Sequence, residues 1–470
     1  MMKLKRLFYL ILITSMLACN FVTGMLIPPT AAPTLTATTT PTATFTASPT
    51  VTPTPLTPAY IPPNCQNTAL ATVSPADAIA QPAPEIQTNP EALKETQLAI
   101  FAKAVDVIEQ VYLYPDFNGK DWPAIVAKYQ AEVKTGLSTE AFYTAMQAML
   151  RELGDEHSSF QSPMDVAAAN AELSGNNEFV GVGIYVLPQI DKGQVTLISV
   201  VPYSPAEQGG LKAHDSILAV DDYPIVNNGE LYIYLARGPE CSATVLTVKS
   251  PGEEPRKVML VRERIQGPSL IEARLAATTD GSRIGYILIP SFFDRTLPGQ
   301  IETALTNFGP LDGLILDNRM NGGGSSDVVE PILSFFTTGT PGRFLSRTDS
   351  RPFIIHANPI LNSQDVPLVI LVGEDTVSFG EIFSGALQDS GRAQIVGQTT
   401  LGNVETLHGY DFEDGSRMWI AEEKFVPAIS HANWEETGII PDVEAYADWD
   451  TFTFENDPSI AAAIALLGHQ

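Results

Sequence analysis

The chain has 470 residues, 44% of them apolar, with 54 acidic against 27 basic side chains and a formal net charge of −27. That length allows roughly three domains of about 150 residues, with several buried cores. The charge excludes a protein that grips nucleic acid through its phosphates, which takes clustered Lys and Arg; it fits an acidic, exported body.

At the N-terminus Lys3, Lys5 and Arg6 precede an apolar run from Leu7 to Leu17. The run is too short to span a bilayer comfortably, so it reads as a signal peptide rather than a transmembrane helix. Its ending, "MLAC", resembles a bacterial lipobox. The resemblance implies cleavage after residue 18 and a lipid on Cys19 that holds the chain at the outer face of the cell membrane. The plain alternative is a secretory peptide with an incidental cysteine. Residues 19–64 form a stalk, mostly Thr, Pro and Ala, with no hydrophobic period and too little apolar bulk to offset the entropy of ordering. Two further cysteines, Cys65 and Cys241, are either bridged, as an exported chain permits, or free.

Residues 65–175 are expected to form a small helical domain. Leu98, Phe101, Ala102, Val105, Ile108 and Val111 fall at helical spacing, and a second amphipathic run starts at Ser138 as N-cap and stops at Gly154. Residues 176–262 change to short β-rich runs. Within them, "SPAEQGGLKAHDSILAV" (204–220), preceded by "FVGVGIYV", resembles a PDZ domain of the kind found in bacterial proteases. The resemblance implies a clamp for a peptide carboxyl terminus at Gly181, Val182, Gly183 and Ile184, with the adjoining strand edge free to pair with an extended chain. The alternative is a spacer whose glycines only make turns.

Residues 263–470 alternate strands and helices, an α/β core with a mostly buried sheet. Two places in it carry chemistry. In "PLVILVGEDTVSFGEIFSGALQD" Ser378 stands where an apolar strand passes into a helix, the position of a nucleophile or of an ordinary helix cap. In "LDGLILDNRMNGGG" a strand runs into Gly322, Gly323 and Gly324, whose backbone N–H groups can face a developing oxyanion. A phosphate loop would need a Gly-Lys-Ser/Thr ending, which is absent.

Taken with "LGDEHSSF" and the PDZ-like stretch, these segments resemble the carboxyl-terminal-processing (tail-specific) serine peptidase family from about residue 95 to 445. The resemblance implies a crotonase-like peptidase core, Ser378 as nucleophile, and cleavage of extended or unstructured polypeptides near their C-terminal tails through an acyl-enzyme. It also expects a lysine 25 residues after the serine, where this chain has Asn403. An amide has no basic lone pair near neutral pH.

A second branch, the tricorn-like peptidases, uses a histidine base oriented by a glutamate. Its pattern falls on His157 in "GDEHSSF" and Glu435 in "WEETGIIPD". Ser378, His157 and Glu435 then form a triad, with backbone N–H groups of Phe379 and of Gly322 or Gly323 as the oxyanion hole. Glu405 is a rival to Glu435, and His408 and His431 are rival bases. A different class of function, a catalytically silent, lipid-anchored peptide-binding protein, follows if the lost lysine has no substitute; an apolar-ligand carrier is a third reading. No zinc-type Cys/His spacing occurs, so neither a metal nor another cofactor is expected.

Overall fold

The computed structural model describes residues 56–58, 60–66, 70–72, 74–75, 90–155, 157–175, 178–266, 271–276 and 278–468. Residues 1–55, where a signal peptide, a lipidated Cys19 and most of a stalk are expected, lie outside the described residues. All elements below belong to one compact unit, Pro58–Gln470. No helix among the described residues is long and apolar enough to cross a membrane.

The centre is a six-stranded sheet in the order Glu272–Ala276, Ile284–Leu288, Gly313–Asp317, Leu368–Val372, Gln394–Gly397, Val443–Glu444. Only the first pair is antiparallel. Three of these strands are buried along their whole length, which explains their unbroken apolar runs. Alternate residues serve opposite faces. Leu314, Leu316, Leu368 and Ile370 join a core with the helices Leu297–Phe308, Ser326–Phe336 and Phe379–Asp389. Ile315, Val369 and Leu371 pack on the other side, against the helix Pro458–Leu467.

A second sheet runs Ser350–Ile355, Gly339–Leu345, Arg417–Pro427, Ser159–Gln161, with Glu405–Asp411 also paired to Arg417–Pro427. The helices Pro90–Val111, Trp122–Val133 and Thr139–Arg151 lie on it. Ser138 caps the third, accepting from Ala141 N–H at 3.2 Å. Phe101, Ile108, Met146 and Met149 share one core with Phe412, Met418 and Ile420. The helical region therefore does not bury its apolar face by itself. Three helices of this length hide too little surface to stand alone, and the sheet completes their core.

The middle module is a sheet in the order Ala71–Thr72, Ser242–Lys249, Ser216–Val220, Gln194–Val200, Ile184–Gln189, around Val182, Leu197, Ile217, Leu246 and Leu260. Cys65, Ala71 and Thr72, expected with the helices, attach here instead. Ala71 and Thr72 pair with Ser242 and Ala243, and Cys65 is disulfide-bonded to Cys241. The carboxyl-terminal segment fastens the module to the central sheet: Trp449 Nε1–H donates to Leu197 O at 2.9 Å, the His214 ring nitrogen Nδ1 meets Trp449 O at 2.9 Å, and Lys192 pairs with Asp448.

The Cys65–Cys241 bond closes a loop across 176 positions of sequence. Thiol labelling of denatured, unreduced protein is expected to modify neither cysteine. Replacing both with serine should lower stability to denaturant by about 2–4 kcal/mol.

Candidate active site

Ser378 follows a turn at the carboxyl end of the strand Leu368–Val372 and precedes the helix Phe379–Asp389. Its backbone is at φ 55°, ψ −126°, whereas the ordinary cap Ser138 is extended at φ −61°, ψ 159°. A β-carbon in that left-handed region costs on the order of 1–3 kcal/mol, and such strain persists only where the surroundings enforce it. Here they do. Ser378 N–H donates to Asn403 O at 2.7 Å and to Glu381 Oε2 at 3.2 Å, and Val377 N–H donates to Asn321 O at 3.0 Å. The serine is more than a helix cap.

Glu381, fully buried, ties the turn to the neighbouring loop. It also accepts from Thr400 Oγ at 2.5 Å and from the N–H groups of Gly402 and Asn403, both at 2.8 Å. Burial pushes its carboxyl up to about 7 against the pull of these donors. The sequence marked Glu381 only as a neighbour of the serine; its structural work is visible only in the fold.

The glycine loop lies against the serine. A β-carbon on Gly323, at φ +86°, would stand 2.7 Å from Ser378 Cβ, so this approach requires glycine. The Gly323 N–H is not free, because it donates to Asn321 Oδ1 at 2.9 Å. Gly322 and Phe379 N–H have no acceptor among the described residues. Of the two loop glycines expected to donate to an oxyanion, the structure thus leaves Gly322 available and removes Gly323. Asn318 Nδ2 donates to Gly380 O and Ser384 Oγ, both at 2.8 Å, and so locks the loop to the nucleophile's helix.

His157 is placed by Asp155, whose Oδ1 accepts from the N–H groups of His157 and Ser158 at 3.1 and 3.0 Å. Its Nε2 meets Glu435 Oε1 at 2.9 Å, across 278 positions of sequence. The other oxygen of Glu435 accepts from Val404 N–H at 2.8 Å and Glu405 N–H at 3.2 Å. The second ring nitrogen, Nδ1, is buried without a hydrogen-bond partner. Burial pulls the imidazole down, but the hydrogen bond and charge of Glu435, with the charges of Glu405 and Asp155, outweigh it and raise its pKa.

The rivals are placed elsewhere. His408 Nε2 meets Glu423 Oε2 at 3.1 Å, and exposed His431 meets Pro427 O at 3.1 Å. Asn403 is held through its backbone, its carbonyl on Ser378 and its N–H on Glu381. Glu405 lies beside His157, its Oε2 3.7 Å from Nε2. Among the described residues, one set offers ligand atoms close enough for a metal ion: His157, Glu405 and Glu435, within 4.8 Å of one another. Sequence spacing could not reveal it, because the three come from separate stretches.

Residues 283–445 match peptidase family S41, and residues 94–151 match the tricorn protease C1 domain. A carboxyl-terminal-processing protease of Picosynechococcus is 30% identical over 342 residues, which cover 71% of this chain and 80% of the relative. The chain belongs to the carboxyl-terminal-processing proteases of peptidase family S41. It is a serine-type peptidase. A second carboxyl-terminal-processing protease, from Synechocystis, is 29% identical over 361 residues, 75% of this chain and 82% of the relative. The fold is shared with the solved photosystem II D1 C-terminal processing protease, at a TM-score of 0.52 and 23% identity, over 78% of this chain and 97% of that one. The lysine position holds Asn403. The structure brings His157 to Glu435 but shows no hydrogen bond between the histidine and Ser378, and His157 Nδ1 has no partner among the described residues.

The contact between the glycine loop and the serine gives a direct test. Gly323→Ala must displace Ser378 and accept a strained φ. It is expected to cost roughly 1–3 kcal/mol of stability and at least about 100-fold in kcat on an unstructured peptide, because small misplacements of reacting groups have that effect.

Proposed function

We propose that this protein is an exported, lipid-anchored endopeptidase that cleaves extended or unstructured polypeptides near their C-terminal tails, with Ser378 as nucleophile, His157 as base and Glu435 orienting the histidine. The 2.9 Å hydrogen bond between His157 and Glu435 carries the reading. The same glutamate binds the backbone of Val404 and Glu405, next to the Asn403 carbonyl that holds the serine's N–H. Serine and histidine–glutamate pair are therefore tied to one short piece of chain.

In this mechanism Ser378 Oγ attacks the scissile carbonyl carbon and its proton passes to His157 Nδ1, the nitrogen that Glu435 does not hold. The carbonyl electron pair moves onto oxygen, which the N–H groups of Phe379 and Gly322 stabilise; one such donor is typically worth about 3 kcal/mol. Collapse expels the amine, which takes the proton from His157. Water then attacks the acyl-enzyme, giving its proton to His157, and the proton returns to Ser378 as the acid leaves.

Substrate would be gathered by the middle module acting as a PDZ-like clamp. Ile184–Gln189 is the edge strand of its sheet. The turn before it is pinned by bonds from Ala206 N–H to Val182 O and from Val201 N–H to Gly183 O. Gly183, at φ +85°, faces Ser204 so closely that a β-carbon would stand 2.3 Å away. An extended peptide would add to the Ile184 edge with its carboxylate at the Gly181–Ile184 turn. Export and anchoring rest on the basic and apolar N-terminus and on Cys19.

On unstructured peptides, Ser378→Ala and His157→Ala are expected to abolish turnover to a similar degree, since members of a triad act as a unit. Glu435→Gln should lower kcat by roughly 10³–10⁴-fold in a folded protein, and Asn403→Ala should be mild. The base must be neutral to act and its pKa is raised. The acid limb of kcat/KM is therefore expected above the ordinary imidazole value of about 6.5. Near wild-type turnover in His157→Ala would reject this base. For the anchor, full-length protein should partition into detergent, and Cys19→Ala should move it to the aqueous phase.

A further inference from the structure

Glu405 is buried beside His157, its side chain only 2% exposed. One oxygen accepts the Tyr114 hydroxyl hydrogen. The other, Oε2, has no hydrogen-bond partner. A buried carboxylate oxygen without a donor is costly and calls for an explanation. Lys424, opposite Glu405 across the strand pair, is exposed. The ionisable groups that act on Glu405 are His157, Tyr114, Glu435 and Asp155, and only the first of these can carry a positive charge. Glu405 Oε2 lies 3.7 Å from His157 Nε2, the same nitrogen that Glu435 Oε1 holds at 2.9 Å.

We propose that Glu405 is a second positioning residue for His157: from the same edge of the ring as Glu435 it orients the imidazole and balances the positive charge that forms whenever the histidine takes a proton, and Tyr114 holds it in place. The proposal rests on His157 as the base. Glu435, fixed by two backbone N–H groups, makes the direct hydrogen bond. Glu405 stands slightly too far for one and acts through charge. Its single internal donor is a phenol, which fixes the carboxyl without supplying a countercharge. Burial pushes the Glu405 carboxyl up to about 7, while His157 and Tyr114 pull it down. The position thus has two carboxylates on one imidazole, and Glu405 enters the site two residues after Asn403, where the lysine is missing.

The test compares Glu405→Gln, Glu405→Asp and Tyr114→Phe with wild type, each checked for an unchanged melting temperature. Removing an anion beside His157 destabilises the imidazolium. In Glu405→Gln we expect kcat to fall and the acid limb of kcat/KM to move to lower pH. Glu405→Asp should restore part of both. Tyr114→Phe weakens the anionic form of Glu405 and should shift the limb the same way by less, so it serves if Glu405→Gln does not fold. A purely structural role would lower kcat and leave the limb where it was. That result, or unchanged kcat in a folded Glu405→Gln, overturns the proposal. NMR titration of His157 in Ser378→Ala, with and without Glu405→Gln, reads the same coupling without turnover. An unmoved midpoint there also overturns it. A moved midpoint together with an active His157→Ala rejects the base assignment and, with it, any catalytic part for Glu405.

Discussion

Two carboxylates, the fully buried Glu381 and the half-buried Glu435, take hydrogen bonds from one short stretch of backbone. Gly402 and Asn403 donate to Glu381, and Val404 and Glu405 donate to Glu435. Between them, the Asn403 carbonyl accepts from Ser378 N–H. A carboxylate removed from water must find donors or give up its charge. Residues 402–405 satisfy both, so the stretch cannot move without exposing one of them. It fixes the serine's strained turn on one side and the glutamate that holds His157 on the other. The position that would carry a lysine in the resemblance thus works here through its main chain.

The parallel sheet decides where this arrangement can form. Loops that leave the carboxyl ends of adjacent strands open onto the same side, where ligand sites in such sheets collect. The glycine loop follows Gly313–Asp317 and the nucleophile's turn follows Leu368–Val372, its direct neighbour. The histidine arrives from outside the sheet. It precedes the strand Ser159–Gln161, paired with Arg417–Pro427 in the second sheet. The amino-terminal helices complete the core behind that sheet, which links their stability to the placement of His157.

A buried charge also joins the central sheet to the middle module. Asp317, at the end of its strand, and Asp457 enclose the Arg319 guanidinium at 2.6 Å each. Such a pair is costly to break, because the surviving charge is left unpaired. The guanidinium carbon lies 4.9 Å from the centre of the Trp449 ring, and Trp449 in turn donates to Leu197 of the module. The disulfide to Cys65 secures the module's other end.

Much of this was legible in the sequence. The apolar runs announced the buried strands, since a strand covered on both faces has no polar side to show. Ser138 declared its helix, because a cap is local chemistry. Ser378 and the Gly322–Gly324 loop stood out for the same reason: each is a strand end with an unusual residue. Pairing His157 with Glu435 needed a resemblance, because no local rule connects residues 278 positions apart. Other features belonged to tertiary structure alone. The sequence did not show that the Gly323 N–H is taken by Asn321, that Cys65, Ala71 and Thr72 join the middle module, or that the helices borrow their core from a sheet. Nor did it show that Glu405 shares the histidine with Glu435. Each of these depends on which distant groups meet once water is excluded, and side-chain order along the chain carries no record of that meeting.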